Sequence, residues 1–522
     1  MSLPSTVGLP AEMQLGTLDY SLPSDAKSFS VRVQPSNLSS ITNSSQTLTA
    51  STTFDNIAFP SQSIIFDIPA GASPSTFLDN RMSTLNFRAT TTTAASSSAA
   101  VMTSAYLRSS AYAFFDRMYI VAQNGNILED ITEVSVVNDT LIALQMSNSV
   151  RDGVANQYGF LSSTAIDNQG HAIGILNNRT LATTAESEVH SYSIPIPSGV
   201  MGVLADKMLN IGRTSRLQLV FVTTNQLPYT IVTSTATTAG SFTVSLSDFS
   251  VGLEYVDVGL NALQMLDQTL VDGKAYIHGT SYRTATATIP AGSSGLQSLL
   301  VGIRASSVKS LFARFFDGGS ASTTNSINGK FDSKNPSINA INWSIGGIKF
   351  PQSSVNPLLN PAQAFRETQM AIGSWNNYLF TSGITPANYC KLAAGGTAAG
   401  NTSTTTDYNY TLSSSASAQA QFIFGVNTEI CMRRGLLSGY NCTAAPIFLE
   451  ANLAASVTNA NTLYGIAMID TILIHDVRSG DIQVRVYQYL VHQPAEWDVA
   501  CCERSKPQLG GYDCRGQCGT HQ

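Results

Sequence analysis

The sequence predicts an all-β protein made of two tandem β-sandwiches. Three observations predict it: the length, a run of short alternating segments, and a set of features that recurs about 220 residues apart. At 522 residues the chain is too long for one hydrophobic core and suits two β-rich domains of roughly 200 to 250 residues, each with its own core.

The alternating segments are exemplified by Leu217-Gln218-Leu219-Val220-Phe221-Val222 and Ile482-Gln483-Val484-Arg485-Val486-Tyr487. Clusters of Gly, Pro, Ser, Thr and Asn separate them, which is the pattern of sandwich strands rather than of alternating βαβ units.

The recurrence begins with Ile68-Pro69-Ala70-Gly71-Ala72-Ser73, which returns as Ile289-Pro290-Ala291-Gly292-Ser293-Ser294. Each copy ends an expected strand. Next, Met118 to Val121 meets Asn124-Gly125 and resumes at Asn126, and Ile341 to Ile345 meets Gly346-Gly347 and resumes at Ile348. Both read as hairpins, because Asn-Gly and Gly-Gly permit the two positive-φ positions of a tight primed turn. A helix follows each hairpin: Val134, Val137, Leu141 and Leu144 share one face, as do Phe365, Thr368, Ile372, Trp375 and Leu379. Asn360 caps the second helix and Pro361 takes its first position. Phe242 to Val258 and Ile482 to Val491 then close the two copies. The expected organisation is an N-terminal arm over 1–55, a first sandwich over 56–258, a linker over 259–270, a second sandwich over 271–493 and a cysteine-rich tail over 494–522.

Composition narrows the function. Charged residues are only 12% of the chain, about half the usual share, so the surface is carried by Ser, Thr, Asn and Gln. Lys and Arg number 28 against 34 acidic residues, and no basic run supplies the phosphate-neutralising stripe of a nucleic-acid binder. Met1 to Thr6 lacks the basic and apolar regions of a signal peptide, so synthesis in a cytosol is expected. Sequons such as Asn37-Leu38-Ser39 and Asn409-Tyr410-Thr411 are then expected to stay unmodified. Apolar runs of membrane-spanning length are missing.

Catalytic constellations are missing too: there is no Gly-x-Ser-x-Gly, no His-Glu-x-x-His and no Gly-rich Lys-Ser/Thr loop. His171, His190, His278, His475, His492 and His521 are scattered. No catalytic residue, cofactor or metal ligand is nominated. Trp343, Trp375, Phe312, Phe315 and Phe316 suggest either a sugar platform or core packing, and the alternation around them favours the core.

The unit Phe114 through Leu144, and the stretch Asn356-Pro357-Leu358-Leu359-Asn360-Pro361-Ala362-Gln363-Ala364-Phe365-Arg366-Glu367, resemble the double jelly-roll major capsid proteins of the lineage that includes adenoviruses, tailless lipid-containing phages, giant viruses, virophages and polinton-like viruses. The resemblance is greatest to the polinton-like and virophage branch and covers Ser61 to Gln493. It implies two eight-stranded jelly rolls, a homotrimer of pseudo-hexagonal outline that tiles an icosahedral shell, and location in the virion. Implied partners are further copies of the chain, penton and minor capsid proteins, and an internal membrane. Low-charge segments, Thr90 to Ser98, Gly318 to Thr323 and Gly395 to Thr406, would be loops, some crowning the tower. The alternative is a carbohydrate-binding or adhesin-type sandwich, which would need export.

The stretch Trp497 to Gln522 has no counterpart in that family. Four of the seven cysteines lie there: Cys501, Cys502, Cys514 and Cys518. Cys502, Cys514 and Cys518 with His521 allow a zinc knuckle but lack two Cys-x-x-Cys arms. Disulfides formed outside the reducing cytosol, within the tail or between capsomers, are the other reading, and a free tail is the third. Cys390, Cys431 and Cys442 are expected as buried free thiols. Ser21 to Thr53 is expected as an arm ordered on assembly, because its low hydrophobicity gives it little core to join.

Overall fold

Strands account for most elements of the chain. The first half contributes β1 (Lys27–Val33), β2 (Ser40–Thr42), β3 (Gln46–Leu48), β4 (Ser63–Ile68), β5 (Thr76–Ala94), β6 (Met102–Leu107), β7 (Phe115–Ala122) and β8 (Ile127–Thr132). Helices α1 (Val134–Gln145), α2 (Asn148–Gly153) and α3 (Ala155–Tyr158) come next. The half ends with β9 (Leu176–Asn177), β10 (Glu186–Pro195), β11 (Leu217–Thr223), β12 (Tyr229–Thr233) and β13 (Gly240–Asp257). Helix α4 (Leu260–Asp267) leads into β14 (Lys274–Ile289), β15 (Gly295–Val301), β16 (Val308–Asp317), β17 (Asn325–Ser326), β18 (Ile338–Ile345) and β19 (Ile348–Val355). Helix α5 (Pro361–Ala371), β20 (Ile423–Asn427), β21 (Ile447–Leu453), β22 (Asn461–Asp476) and β23 (Asp481–Arg485) complete the set. These come from a computed structural model that describes residues 26–38, 40–42, 46–48, 61–94, 102–107, 109–159, 176–177, 186–205, 207–225, 229–233, 240–268, 270, 272–317, 325–326, 331, 333–373, 382–384, 389–390, 421–429 and 439–485.

Sheet order decides the architecture. The first half pairs β1-β13-β5-β10 in one sheet and β4-β11-β7-β8 in the other; the second half pairs β14-β22-β16-β20 and β15-β21-β18-β19. Taking the eight sandwich strands of each half in chain order, both halves read 1-8-3-6 and 2-7-4-5, all antiparallel. That order is a jelly roll. The chain is a double jelly roll. Strands such as β4 and β21 alternate strictly between inward buried and outward residues, as a sandwich strand with one face on the core must.

Aromatic rings fill both interiors. In the first, Phe87 packs within 5.4–5.8 Å of Phe114, Phe115, Tyr192 and Phe249. In the second, Trp343 is fully buried and Phe422 lies between Phe315 and Tyr389. Phe312, Phe315, Phe316 and Trp343 are all buried, so these four belong to packing rather than to a sugar platform; Trp375 lies outside the described residues. The buried apolar residues form one connected cluster through both sandwiches instead of two separate cores, for a reason that lies in α1 and is described below.

Several sequence expectations change at this level. The shared hexapeptide is not structurally equivalent: Ile68 ends β4, the second strand of its sandwich, whereas Ile289 ends β14, the first of its own. A Pro-Gly turn suits any strand end, so the two copies coincide in sequence and not in topology. The strand equivalent to β13 is β22, and β23 (Asp481–Arg485) is an addition paired to β22; Val486 to Val491 lies outside the described residues.

The Gly346-Gly347 hairpin is the expected two-residue turn, with φ of 56° and 89°. The Asn124-Gly125 hairpin is not. Only Gly125 has a positive φ, its N–H donates to Ala122 O at 2.9 Å, and Ala122 N–H donates to Asn126 O at 2.9 Å. This is a three-residue loop with glycine at its left-handed position, and the β7–β8 register shifts beside it.

The expected arm over 1–55 contains part of the sandwich. Lys27–Val33 pairs with β13 from Asp257 to Val251, and the Phe29 ring meets Tyr255 edge-on at 5.6 Å. An eighteen-residue β13 needs a partner along its outer edge, and three alternating apolar residues, Phe29, Val31 and Val33, suffice to seat one there. The linker carries α4, with Leu263 buried.

Helix α1 forms over twelve residues, and α5 starts where expected but ends after eleven, at Ala371, with Ile372 as its C-cap and Gly373 at a φ of 75°; Trp375 and Leu379, expected on its face, lie outside the described residues. The Asn360 side chain accepts the Gln363 N–H at 3.3 Å with Pro361 following it. Replacing Asn360 by Ala should therefore destabilise the second sandwich by about 1 kcal/mol, and Asn360→Asp by less, read from denaturant unfolding of the full chain.

Candidate functional site

With no catalytic constellation nominated, the largest share of the buried polar contacts among the described residues lies where the two sandwiches meet. Strand β8 is the outer strand of its sheet and β14 the outer strand of another. They lie alongside each other through side chains. Thr132 Oγ1 and Thr284 Oγ1 are 2.6 Å apart. Glu129, on β8, is buried; it accepts the Gly199 N–H at 3.1 Å and the hydroxyls of Ser198 and, across the joint, Ser281. Burial pushes the Glu129 carboxyl above its ordinary pKa, and those donors draw it part of the way back.

Two glycines set how closely the backbones approach. A Cβ on Gly199 would lie 2.6 Å from Thr280 O, and one on Gly279 would lie 2.4 Å from Gly199 O, both inside contact distance. Thr280 N–H donates to Leu204 O at 3.2 Å, and Ala205 bridges Gly279. Farther along the joint, Ser215 N–H donates to Gly480 O at 2.9 Å, Asn124 Nδ2 donates to Asp481 Oδ1 at 2.9 Å, and His475 Nε2 lies 3.3 Å from Arg213 O.

Helix α1 is the third contact. From Val134 to Leu144 every residue except Leu141 is buried, including Ser135, Asn138, Asp139 and Thr140. An amphipathic surface helix would expose its polar face; α1 cannot, because β7 and the short 3-10 turn Ala111–Phe114 lie on one side and β16 of the second sandwich on the other. Arg314, on β16 and with no exposed side-chain surface, places Nη1 2.6 Å from Asp139 Oδ2 and 3.1 Å from Thr140 Oγ1. Its guanidinium carbon lies 5.3 Å from the Phe316 ring centre. Asp139 also accepts the Ser109 hydroxyl. Past the helix end, the Ser382 hydroxyl and Gly383 N–H of the second half both donate to Ala143 O.

A second buried charge cluster lies within the second sandwich. Asp470 receives His278 Nε2 at 3.1 Å, Ser307 Oγ at 2.7 Å and Lys309 Nζ at 3.5 Å. Burial alone would raise the Asp470 pKa, but His278, Ser307 and Lys309 together bring it below the ordinary value. Lys309 also reaches Glu429 at 3.2 Å.

The tail cysteines Cys501, Cys502, Cys514 and Cys518 lie outside the described residues, as do Cys431, His171, His492 and His521. Cys442 is buried and free, its thiol pushed up to about 12 by burial; Cys390 is free and half-buried. Among the described residues no group of three or more His, Cys, Asp or Glu could hold a metal ion. His190, His278 and His475 sit on separate strands, β10, β14 and β22. Of the loop segments, Thr90 to Ala94 extends β5, while 95–98, 318–323 and 395–406 lie outside the described residues. The joint residues Glu129, Asp139, Gly199, Gly279 and Arg314 were not singled out by sequence. One signal was available: Arg314 stands alone within Leu311-Phe312-Ala313-Arg314-Phe315-Phe316, a charge in a strand otherwise fit only for a core.

No family model and no curated protein matches the sequence. Solved structures do align along most of the chain. The crystal structure of the mavirus major capsid protein covers 98% of each chain at 8% identity and a TM-score of 0.49. The Sputnik virophage structure covers 89% of this chain and 94% of its own at 12% identity and 0.49. The Faustovirus major capsid protein covers 88% and 92% at 10% identity and 0.45. The jelly-roll assignment rests on the strand order given above.

Arg314→Met should cost about 3–5 kcal/mol because it leaves Asp139 buried without its cation, whereas Arg314→Met combined with Asp139→Leu should recover most of that loss; denaturant midpoints measure both. His475, fully buried, has its pKa held below the ordinary value of 6.5 chiefly by burial, although the Arg213 carbonyl and Asp476 act the other way. A lowered histidine pKa contributes stability that is present above about 6.5 and lost as pH falls towards the folded-state value. Glu129, shifted upward, has the opposite sign, its contribution fading as pH rises through its folded pKa. The melting temperature of wild type should therefore fall between pH 7.5 and pH 5 more steeply than that of His475→Gln, and equal slopes would rule out His475 as a titrating group of the joint.

Proposed function

We propose that this chain is the major capsid protein of an icosahedral virus, that it trimerises into pseudo-hexameric capsomers, and that it works in the virion as a structural protein and not as an enzyme. The observation that carries the reading is the fusion of two topologically identical jelly rolls through a joint of buried charge, close glycine contacts and a shared helix. A pair fixed in this way is a rigid tile. Three tiles present six similar sandwiches, the number needed to fill a hexagonal position, and closed double-sheet sandwiches keep most of their edges paired while leaving end loops free to vary.

The surface chemistry suits that role. With 12% charged residues, copies can approach without a large like-charge penalty, and shell contacts can be individually modest because each is repeated many times. Partners on this reading are other copies of the chain, penton and minor capsid proteins, and an internal membrane beneath the shell. The tail with Cys501, Cys502, Cys514 and Cys518 would clamp a neighbouring capsomer by disulfides once the particle leaves a reducing cytosol.

Size exclusion with light scattering, followed by negative-stain microscopy of the same fractions, tests the reading. A particle of three times 55.5 kDa with pseudo-hexagonal outline, or closed shells, is expected. A monomer at every concentration would defeat it and favour a carbohydrate-binding sandwich, for which glycan screening is the next step.

A further inference from the structure

We propose that Lys309 and Asp470 close into an isopeptide bond, a side-chain amide that staples β16 to β22, with Glu429 carrying the proton that the reaction moves. The bond forms whether or not the chain builds a shell.

The backbone brings the three groups together. Strands β16 and β22 pair with a register shift between Val308 and Ser310. Lys309 is therefore the extra residue of a bulge, and a bulge re-aims the side chain it carries. The Asp470 N–H donates to Ser307 O at 3.1 Å, which fixes Asp470 beside the start of β16. Just past the end of β20, the Thr428 N–H donates to Lys309 O at 2.9 Å, and the Glu429 N–H donates to Asn427 Oδ1 at 3.0 Å. Glu429 is thereby held next to the lysine.

The result is an amine between two acids, one of which also holds two further polar partners. Lys309 Nζ lies 3.5 Å from Asp470 Oδ1 and 3.2 Å from Glu429 Oε1. His278 Nε2 is 3.1 Å from the same Oδ1, and the Ser307 hydroxyl donates to Oδ2 at 2.7 Å. The Gly439 N–H donates to Ser307 Oγ at 3.2 Å, which leaves the hydroxyl proton for Asp470. The Asp470 side chain has no exposed surface and that of Lys309 is 18% exposed. Burial would lower the Lys309 pKa, but Asp470 and Glu429 together raise it, so the cluster rests as an ion pair. Charges this buried are costly to desolvate. An amide in their place carries none.

The reaction expels one water and needs no co-reactant. The Lys309 ammonium passes a proton to Asp470 Oδ1, giving an amine and a carboxylic acid with no change in net charge. The amine nitrogen attacks Cγ, and the Ser307 hydroxyl stabilises the charge that develops on Oδ2 as the N–Cγ bond forms. Glu429 takes the second amine proton and delivers it to Oδ1, whose bond to Cγ breaks as water leaves from beside His278. Glu429 ends as it began, and nothing is oxidised or reduced. Groups held in place by a fold react with effective molarities of roughly 10⁵ M or more, which offsets the competing hydrolysis. Two other pairs mark the limits of this chemistry. Arg314 faces Asp139 with a guanidinium, which stays protonated and is no nucleophile. Lys349 lies 2.9 Å from Glu450 but is 50% exposed, so water keeps that pair ionic.

The intact mass of the purified full chain, set against that of Lys309→Arg, tests the proposal. Arginine keeps a cation between the two acids and cannot form the bond. Corrected for the substitution, wild type should be lighter than the variant by one water. Trypsin should release a branched product that joins peptides 305–314 and 435–478, and none that joins Lys349 to Glu450. Glu429→Gln should close the bond at least about a hundredfold more slowly, and wild type should melt above Lys309→Arg because its unfolded chain is cross-linked. Wild type at its full sequence mass after prolonged incubation, with the two peptides separate, would overturn the proposal and leave a buried ion-pair cluster. Water loss at an unchanged rate in Glu429→Gln would overturn the role given to Glu429.

Discussion

The relative placement of the two sandwiches depends on burying Arg314 against Asp139. A guanidinium with no exposed surface is costly to desolvate, and it is tolerable only where an acid, a hydroxyl and an aromatic face are already in place. Asp139 and Thr140 come from a helix of the first sandwich, and Phe316 from the second. The contact of Arg314 Nη1 with Asp139 and Thr140 forms only when the two sandwiches stand in one relative arrangement. That is why the apolar interior runs as one cluster through both, and why α1 can bury its polar residues along with its apolar ones.

Glu129 and the Gly199–Gly279 approach act in the same direction by different physics. The glycines remove steric volume so that backbones can touch, and the carboxylate then gathers donors from both halves. Apolar burial alone would favour association without fixing an angle. Directional hydrogen bonds and the buried Arg314–Asp139 ion pair supply the angle, at a cost in stability that an all-apolar joint would avoid.

Much of this was legible in the sequence and some was not. Alternation and turn chemistry marked the strands, Asn360-Pro361 marked the start of α5, and the recurrence of hairpin followed by helix marked the duplication. The hexapeptide misled because a Pro-Gly turn reports a strand end and not which strand. Lys27–Val33 was misjudged because three apolar residues on an edge are enough to pair with a long neighbour yet too few to look like core. The joint could not be read at all, since Glu129, Asp139, Gly199 and Arg314 are far apart in sequence and only their convergence makes them informative. Arg314 within an apolar strand was the single visible hint, and it pointed to a partner without saying which.

One small sheet ties the halves together in another way. Strands β6, β9 and β12 arise from three different loops of the first sandwich, and β17 arises from a loop of the second; together they form the order β17-β12-β6-β9. Loops on such proteins are where sequence drifts fastest, because little packing restrains them. Here they restrain one another. The β12–β17 ladder runs through backbone groups, Ile231 opposite Ser326 and Val232 opposite Asn325, so it tolerates a change of side chain but not a change in the length or course of either loop. The small sheet therefore constrains loop geometry across the two halves while leaving loop chemistry open.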